Sequence, residues 1–153
     1  MAFAMAGVVS HLDWAPGDMV IFNDPYLGGT HLPDVTLVAP VFHGEQLVGF
    51  VANRAHHADI GAESPGSMPI SRSLHEEGLL IPPGHILRGG RLDQPLLARI
   101  REHSRNPRDA EGDIRAQISA CERGLLRLRE LIGDLGVPAY AAALRDLNDY
   151  GER

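Results

Sequence analysis

The stretch VTLVAPVFHGEQLVGFVANRA, residues 35–55, decides the fold. Val35 to Phe42 is a short run rich in β-branched and aromatic residues, and Gln46 to Ala55 is a second. His43-Gly44-Glu45 lies between them, so the segment predicts a β-hairpin. Pro40 has no amide proton to give to a ladder, which makes the first of these strands an edge at that point or places a bulge there.

Upstream, Pro16-Gly17-Asp18 is a turn signal leading into Met19-Val20-Ile21-Phe22, a short buried strand that stops at Asn23-Asp24-Pro25. The chain changes character near Gly84–Asp93. Before that point Gly, Pro and β-branched residues suit strands and turns; after it Leu, Ala, Arg and Glu recur at helical spacing. Asn106-Pro107 reads as a cap followed by proline in the first turn, with Asp109, Glu111 and Asp113 favouring the early turns. Ile114, Ile118, Cys121, Leu125, Leu128, Ile132 and Leu135 then form one apolar stripe along a helix closing at Gly133 or Gly136. A last helix is predicted from Ala139 to Tyr150, docking on a neighbour through its small residues. The expected class is α+β, one domain with a strand-and-loop part over 1–90 and a helical part over 91–153.

The 153 residues are 44% hydrophobic and 22% charged, near the average of folded soluble domains. A net charge of −6 argues against a nucleic-acid binder, which would gather Lys and Arg on one face. Met1–Val9 is apolar but has no basic flank and is too short to span a bilayer, so it reads as a core segment and no membrane association is expected. Cys121 is the only cysteine, which rules out an intrachain disulfide and a cysteine-based zinc site; a reducing, cytoplasmic setting is expected. At mid-stripe its thiol should be inert. Neither GxxxxGK[ST] nor a GxGxxG placed between strand and helix occurs, so ATP is not expected to bind here. Ser64 has no GxSxG around it and is no nucleophile elbow.

Eight histidines direct attention to where they sit. His11, His43, His75, His85 and His103 have no carboxylate partner that the sequence can place, and are expected in solvent. The other three belong to the informative stretch from Asn23 to Gly61. If Phe42 faces Glu45 across the turn, His31 lies opposite His56 and Asp34 opposite Asn53. Two imidazoles and a carboxylate then meet at one end of the hairpin, a donor set suited to zinc, manganese or iron with positions left open for substrate. This register favours His56 as the ligand and leaves His57 to polarise or protonate a bound group, since adjacent residues point to opposite faces; a one-residue slip would exchange them. Asp24 is an additional ligand or an orienter of a ligating histidine. Arg54 is placed to clamp a carboxylate or phosphate as a planar fork. Gly28-Gly29 lets a loop pass close to a ligand. The plainer readings are that Asn23-Asp24-Pro25 is a turn, that an isolated HxxD arises by chance and that HH pairs decorate surfaces; their conjunction favours a metal site.

Four blocks carry a resemblance: GDMVIFNDPYLGGTHLPDVTLVAPVF (17–42), GFVANRAHHADIGAESPGSMP (49–69), EEGLLIPP (76–83) and NPRDAEGDIRAQISACERG (106–124). In this order they resemble the hydantoinase B family, which includes the beta subunit of N-methylhydantoinase, the corresponding half of 5-oxoprolinase, and subunits of acetone and acetophenone carboxylases and caprolactamase. The resemblance implies a partial hydantoinase B-type fold, because family members are several times longer. It implies a hydrolase acting on the C–N bond of a cyclic amide such as hydantoin, 5-oxoproline or a lactam. It also implies an A-type partner subunit that uses the ATP, hence a hetero-oligomer, and a divalent metal, zinc or manganese. By motif the ligands are His31, Asp34 and His56, with Asp24, His57 and Asp59 as accessory positions. The rival implications are a subunit of an ATP-dependent ketone carboxylase, and a truncated, inactive chain with an assembly role.

Overall fold

The computed structural model describes residues 2–66 and 70–152. The last three residues of the GSMP motif, 67–69, lie outside the described residues. Five strands form one antiparallel sheet: β1 (Met19–Phe22), β2 (Asp34–His43), β3 (Gln46–His56), β4 (Gly84–Arg88) and β5 (Arg91–Leu92), in the order β3-β2-β1-β4-β5. Helix α1 (Ala2–Val9) precedes the sheet; α2 (Gln94–His103), α3 (Pro107–Leu135) and α4 (Val137–Gly151) follow it. Short 3-10 turns occupy Pro25–Leu27 and Leu74–Glu77. The α+β class holds, and the strands reach Leu92 before the helices take over.

Alternation along β2 sorts the core into two layers. Val35, Leu37, Ala39 and Val41 face one way and pack, with Ile21 of β1, against Ile114, Ile118, Cys121 and Leu125 of α3. Val38, with Val20 and Phe22, faces the other way, onto Val8 of α1, Trp14 and Phe50. Trp14 and Phe50 meet edge-on at 5.0 Å. The stripe read from the sequence is buried at Ile114, Ile118, Cys121, Leu125 and Ile132, while Leu135 at its end is half exposed. Gly136 closes the helix with φ +78, its N–H donating to the Ile132 carbonyl at 2.8 Å. Helix α4 folds back on α3 and buries Tyr140. Among the described residues no helix is long and apolar enough to cross a membrane.

The expected hairpin register is wrong. Only Gly44 and Glu45 form the turn, Gly44 at φ +59 supplying the backbone conformation that a two-residue hairpin loop demands of its first residue. His43 therefore pairs with Gln46 and Phe42 with Leu47; Val48 then bulges, so that Val41 pairs with Gly49. At the far end Asp34, not His31, faces His56, and Leu37, not Asp34, faces Asn53. Pro40 sits beside this bulge and beyond Val38, where the pairing of β2 with β1 ends, so its missing donor costs nothing on that side.

His85 is a second correction. Its side chain is buried, with Nε2 3.6 Å from Asp18 Oδ2 and the ring beside Trp14. The turn Asp18 that the sequence separates from it is returned by the β1–β4 pairing, in which Val20 faces His85. His11, His43, His75 and His103 are exposed as expected.

Candidate functional site

The far end of the hairpin holds the charged cluster. Asp34 and His56 are cross-strand partners on one face, joined there by Thr36 and Arg54 two residues further along each strand. His56 Nδ1 lies 2.7 Å from Asp34 Oδ1. His31 stands outside the strand, in a tight turn closed by the Asp34 N–H on the His31 carbonyl, with Nδ1 3.7 Å from Asp34 Oδ2. Thr30 donates its hydroxyl proton to the same carboxylate. Asp34 thus sits between two imidazoles. Burial pushes its carboxyl pKa up, but the hydrogen bonds from Thr30 and His56 outweigh that and hold it below the usual carboxylate range. It is an anionic acceptor at neutral pH.

Two imidazoles and a carboxylate are donors of the type that zinc and manganese take. Among the described residues, however, no three His, Cys, Asp or Glu side chains are arranged around a common point as a ligand shell. His56 bonds the carboxylate directly, and His31 is beyond hydrogen-bond reach of it.

The remaining candidates divide into separate structural settings. Arg54 donates from Nε to Thr36 Oγ1 and from Nη2 to the Gly28 carbonyl, both at 2.8 Å, and so ties the glycine loop to the sheet. Asp24 caps the 3-10 turn: Oδ1 accepts the Tyr26 N–H, while its carbonyl accepts those of Leu27 and Gly29. Asp59 lies apart from Asp34 in its bonding. It accepts the N–H of Gly61 and of Arg105 and a guanidinium hydrogen bond from Arg105 at 3.1 Å, latching the segment after β3 to the α2–α3 junction.

Burial acts to raise the Asp59 pKa, and the Arg105 and Gly61 N–H groups with the Arg105 charge bring it below the usual value. A depressed folded pKa gives stability that is complete above the unfolded carboxylate's value of about 4 and is lost as pH falls toward the folded value. Urea unfolding followed from neutral to acid pH should therefore show a decline below about pH 4 that Asp59→Asn makes shallower. An unchanged profile in the variant would remove the latch from the account.

His57 points away from Asp34. It is buried, its N–H donates to the Pro33 carbonyl at 2.8 Å, and its Nε2 lies 2.8 Å from Gln117 Oε1 on α3. The Gln117 amide nitrogen is occupied by the Val35 carbonyl at 3.0 Å and by Asn53 Oδ1 at 2.8 Å. Its oxygen must then accept, so neutral His57 carries its proton on Nε2 and keeps the lone pair on Nδ1. Asn53 completes the network by donating to the Gln117 carbonyl at 2.8 Å and to Cys121 Sγ at 3.2 Å. Burial pushes the Cys121 thiol up to about 11, which keeps it protonated and unreactive.

A cavity of about 330 Å³ opens between β3 and α3, lined by Arg54, His56 and His57 and by Asp113, Ala116 and Gln117. Sequence reading missed Asp113 and Gln117. Asp113 had been accounted for as an early-turn acid of α3, and Gln117 stands among the apolar positions of the stripe, where a polar residue is itself a signal of a buried partner.

The whole chain, residues 1–153, matches the sequence profile of the Hydantoinase B/oxoprolinase family. It is 40% identical over 141 residues to a 5-oxoprolinase of Dictyostelium discoideum, an alignment that takes in 92% of this chain and 11% of that protein. Its fold superposes on the crystal structure of the ATP-dependent caprolactamase from Pseudomonas jessenii with a TM-score of 0.89 and 32% identity, over 96% of this chain and 26% of that one. Against a nucleotide-free acetone carboxylase structure the TM-score is 0.79 with 25% identity, over 90% of this chain and 18% of that one. The chain thus spans between 11% and 26% of the length of these relatives. It belongs to the hydantoinase B/oxoprolinase family.

Proposed function

We propose that this chain is the metal-holding segment of an ATP-dependent, cytoplasmic enzyme that hydrolyses a cyclic amide such as hydantoin, 5-oxoproline or a lactam. One observation carries the reading: an ionised carboxylate, Asp34, stands between the imidazoles of His31 and His56 beside a cavity lined by Arg54 and His57. His31, Asp34 and His56 are the proposed ligands, with Asp24 supporting the loop that carries His31. A zinc or manganese ion bound there would supply Lewis-acid polarisation of a carbonyl or an activated water.

The chain's own residues have the other roles. Asp34 contributes negative charge and stays ionised. Arg54 orients an anionic group of the substrate on the Asp34 face of the sheet with the part of its guanidinium not tied to Thr36 and Gly28. His57, fixed through Nε2–H by Gln117, offers Nδ1 as a proton acceptor, and Asp59 holds the segment after His57 in place through Arg105. ATP is handled by an A-type partner subunit in a hetero-oligomer, consistent with the likeness to an ATP-dependent caprolactamase.

Carboxylation of a ketone is the second reading, favoured by the likeness to an acetone carboxylase. Product analysis with a cyclic amide and with a ketone, with and without bicarbonate, separates the two. The ligand assignment is tested by metal analysis of the purified protein: near-stoichiometric divalent metal is expected in the wild type and its loss in His31→Ala. Equal metal content in the two would count against these ligands.

A further inference from the structure

A second concave site shares no residue with the cavity beside His56. It has a volume of about 420 Å³ and is lined by Gly61, Gly78 and Pro82 together with His75, Arg99 and His103. His75 comes from the 3-10 turn, while Arg99 and His103 stand one turn apart on α2 and therefore on one helix face.

Gly61 has φ +89, and a Cβ there would lie 2.7 Å from the His103 carbonyl oxygen; Gly78 has φ +126, and a Cβ there would lie 2.6 Å from the Ile60 side chain. The Leu79 N–H donates to the Ile60 carbonyl at 2.8 Å, zipping these two segments together. Only glycine permits this approach, and the two segments meet backbone to backbone at the cavity wall.

Among the described residues no carboxylate lines the cavity. The nearby acids have other partners: Glu76 accepts from the Arg72 N–H and the Ser73 hydroxyl, Glu77 from the Ser71 hydroxyl, and Asp59 from Arg105. Like most of the arginines, Arg99 has no ion pair among the described residues, and it makes only a long 3.5 Å approach to the Leu80 carbonyl. His103 donates from Nδ1 to the Arg99 carbonyl at 2.8 Å, which leaves Nε2 for the cavity. An exposed arginine is ordinarily just solvated. Here it converges with two imidazoles from separate segments on one hollow.

We propose that this cavity binds a small anion bearing a carboxylate or phosphate group, held by Arg99 together with His75 and His103. A planar guanidinium matches either oxyanion, and charge-assisted hydrogen bonds of this kind are the strong ones. This goes beyond the hydrolase reading and does not depend on it.

The test is titration of the whole protein with inorganic phosphate and, separately, with succinate, ionic strength being held with chloride. The imidazole resonances of His75 and His103 are followed by NMR. Saturable shifts of both rings are expected with at least one of the two anions, and the anion that saturates identifies the oxyanion class. Arg99→Gln should weaken binding about tenfold, and His103→Gln should weaken it as well. Both positions are exposed, and an unchanged melting curve shows that each variant folds. His31→Ala should bind the anion like the wild type, so loss of the metal reading would leave this one standing. Shifts that never saturate with either anion, or an affinity unchanged in Arg99→Gln, would overturn the proposal.

Discussion

Asn23→Ala is expected to destabilise the fold by about 3 kcal/mol or more, because it leaves three buried backbone groups without partners at about 1–3 kcal/mol each. Asn23 follows β1 and is completely buried. Its amide nitrogen donates to the Leu32 and Leu79 carbonyls, both at 2.8 Å, and its oxygen accepts the Ile81 N–H at 2.7 Å. Its own N–H donates to the Ile81 carbonyl at 3.0 Å. One side chain therefore stands in for a strand partner and binds the loop before β2 to the GLLIPP segment. Alanine cannot replace any of these bonds, and water has no access. Asn23→Asp keeps the acceptor, loses both donors and buries a charge, so it should be no better tolerated. Urea unfolding at neutral pH measures both; a loss under about 1 kcal/mol in either would mean that the backbone finds other partners.

The second large effect is expected at Gly29. A Cβ at this position would lie 2.4 Å from the Asn23 carbonyl oxygen and 2.7 Å from that of Asp24. Neither is a flexible side-chain end. The Asp24 carbonyl is already held by the N–H groups of Leu27 and Gly29, so relief requires the loop backbone to move. That loop carries His31 two residues later and is tied to the sheet by Arg54 through Gly28. Gly29→Ala should cost about 1–3 kcal/mol, the usual range for forcing extra atoms into a packed site. It should also weaken metal retention, because His31 shifts relative to Asp34. Gly112→Ala on α3 is the control, since a Cβ there meets nothing within 4 Å and alanine favours the helix. If Gly29→Ala behaved like Gly112→Ala in both stability and metal content, the loop would not be the positioning device described here.

Much of the fold was legible in the sequence because periodicity is a local signal. Met19–Phe22 and the two hairpin strands each announce themselves within a dozen residues, the stripe of α3 by its repeat along one helix, and each forms where it was read. The register was not legible. It depends on a two-residue turn and on the bulge at Val48, and that bulge has no sequence signature apart from Pro40 on the facing strand. The error changed the partner of His56 from His31 to Asp34, which is why the cluster is a carboxylate flanked by imidazoles rather than two facing imidazoles.

What the sequence hid is uniformly long-range. Asn23 looks like a turn residue until Leu79 and Ile81 are brought beside it. His85 looks exposed until β4 pairs with β1 next to Asp18. The tautomer of His57 follows only from Gln117 on a helix far along the chain. Asp59, read as accessory to the site, has a partner at Arg105 that no local pattern indicates.

The central claim is that Asp34 gathers His31 and His56 around one cation, and anomalous diffraction from crystals grown with zinc or manganese tests it most directly. A single strong peak is expected about 2.0–2.2 Å from an imidazole nitrogen of each histidine and from an Asp34 oxygen. A peak bound elsewhere, or none with His56 still hydrogen-bonded to Asp34, would contradict it.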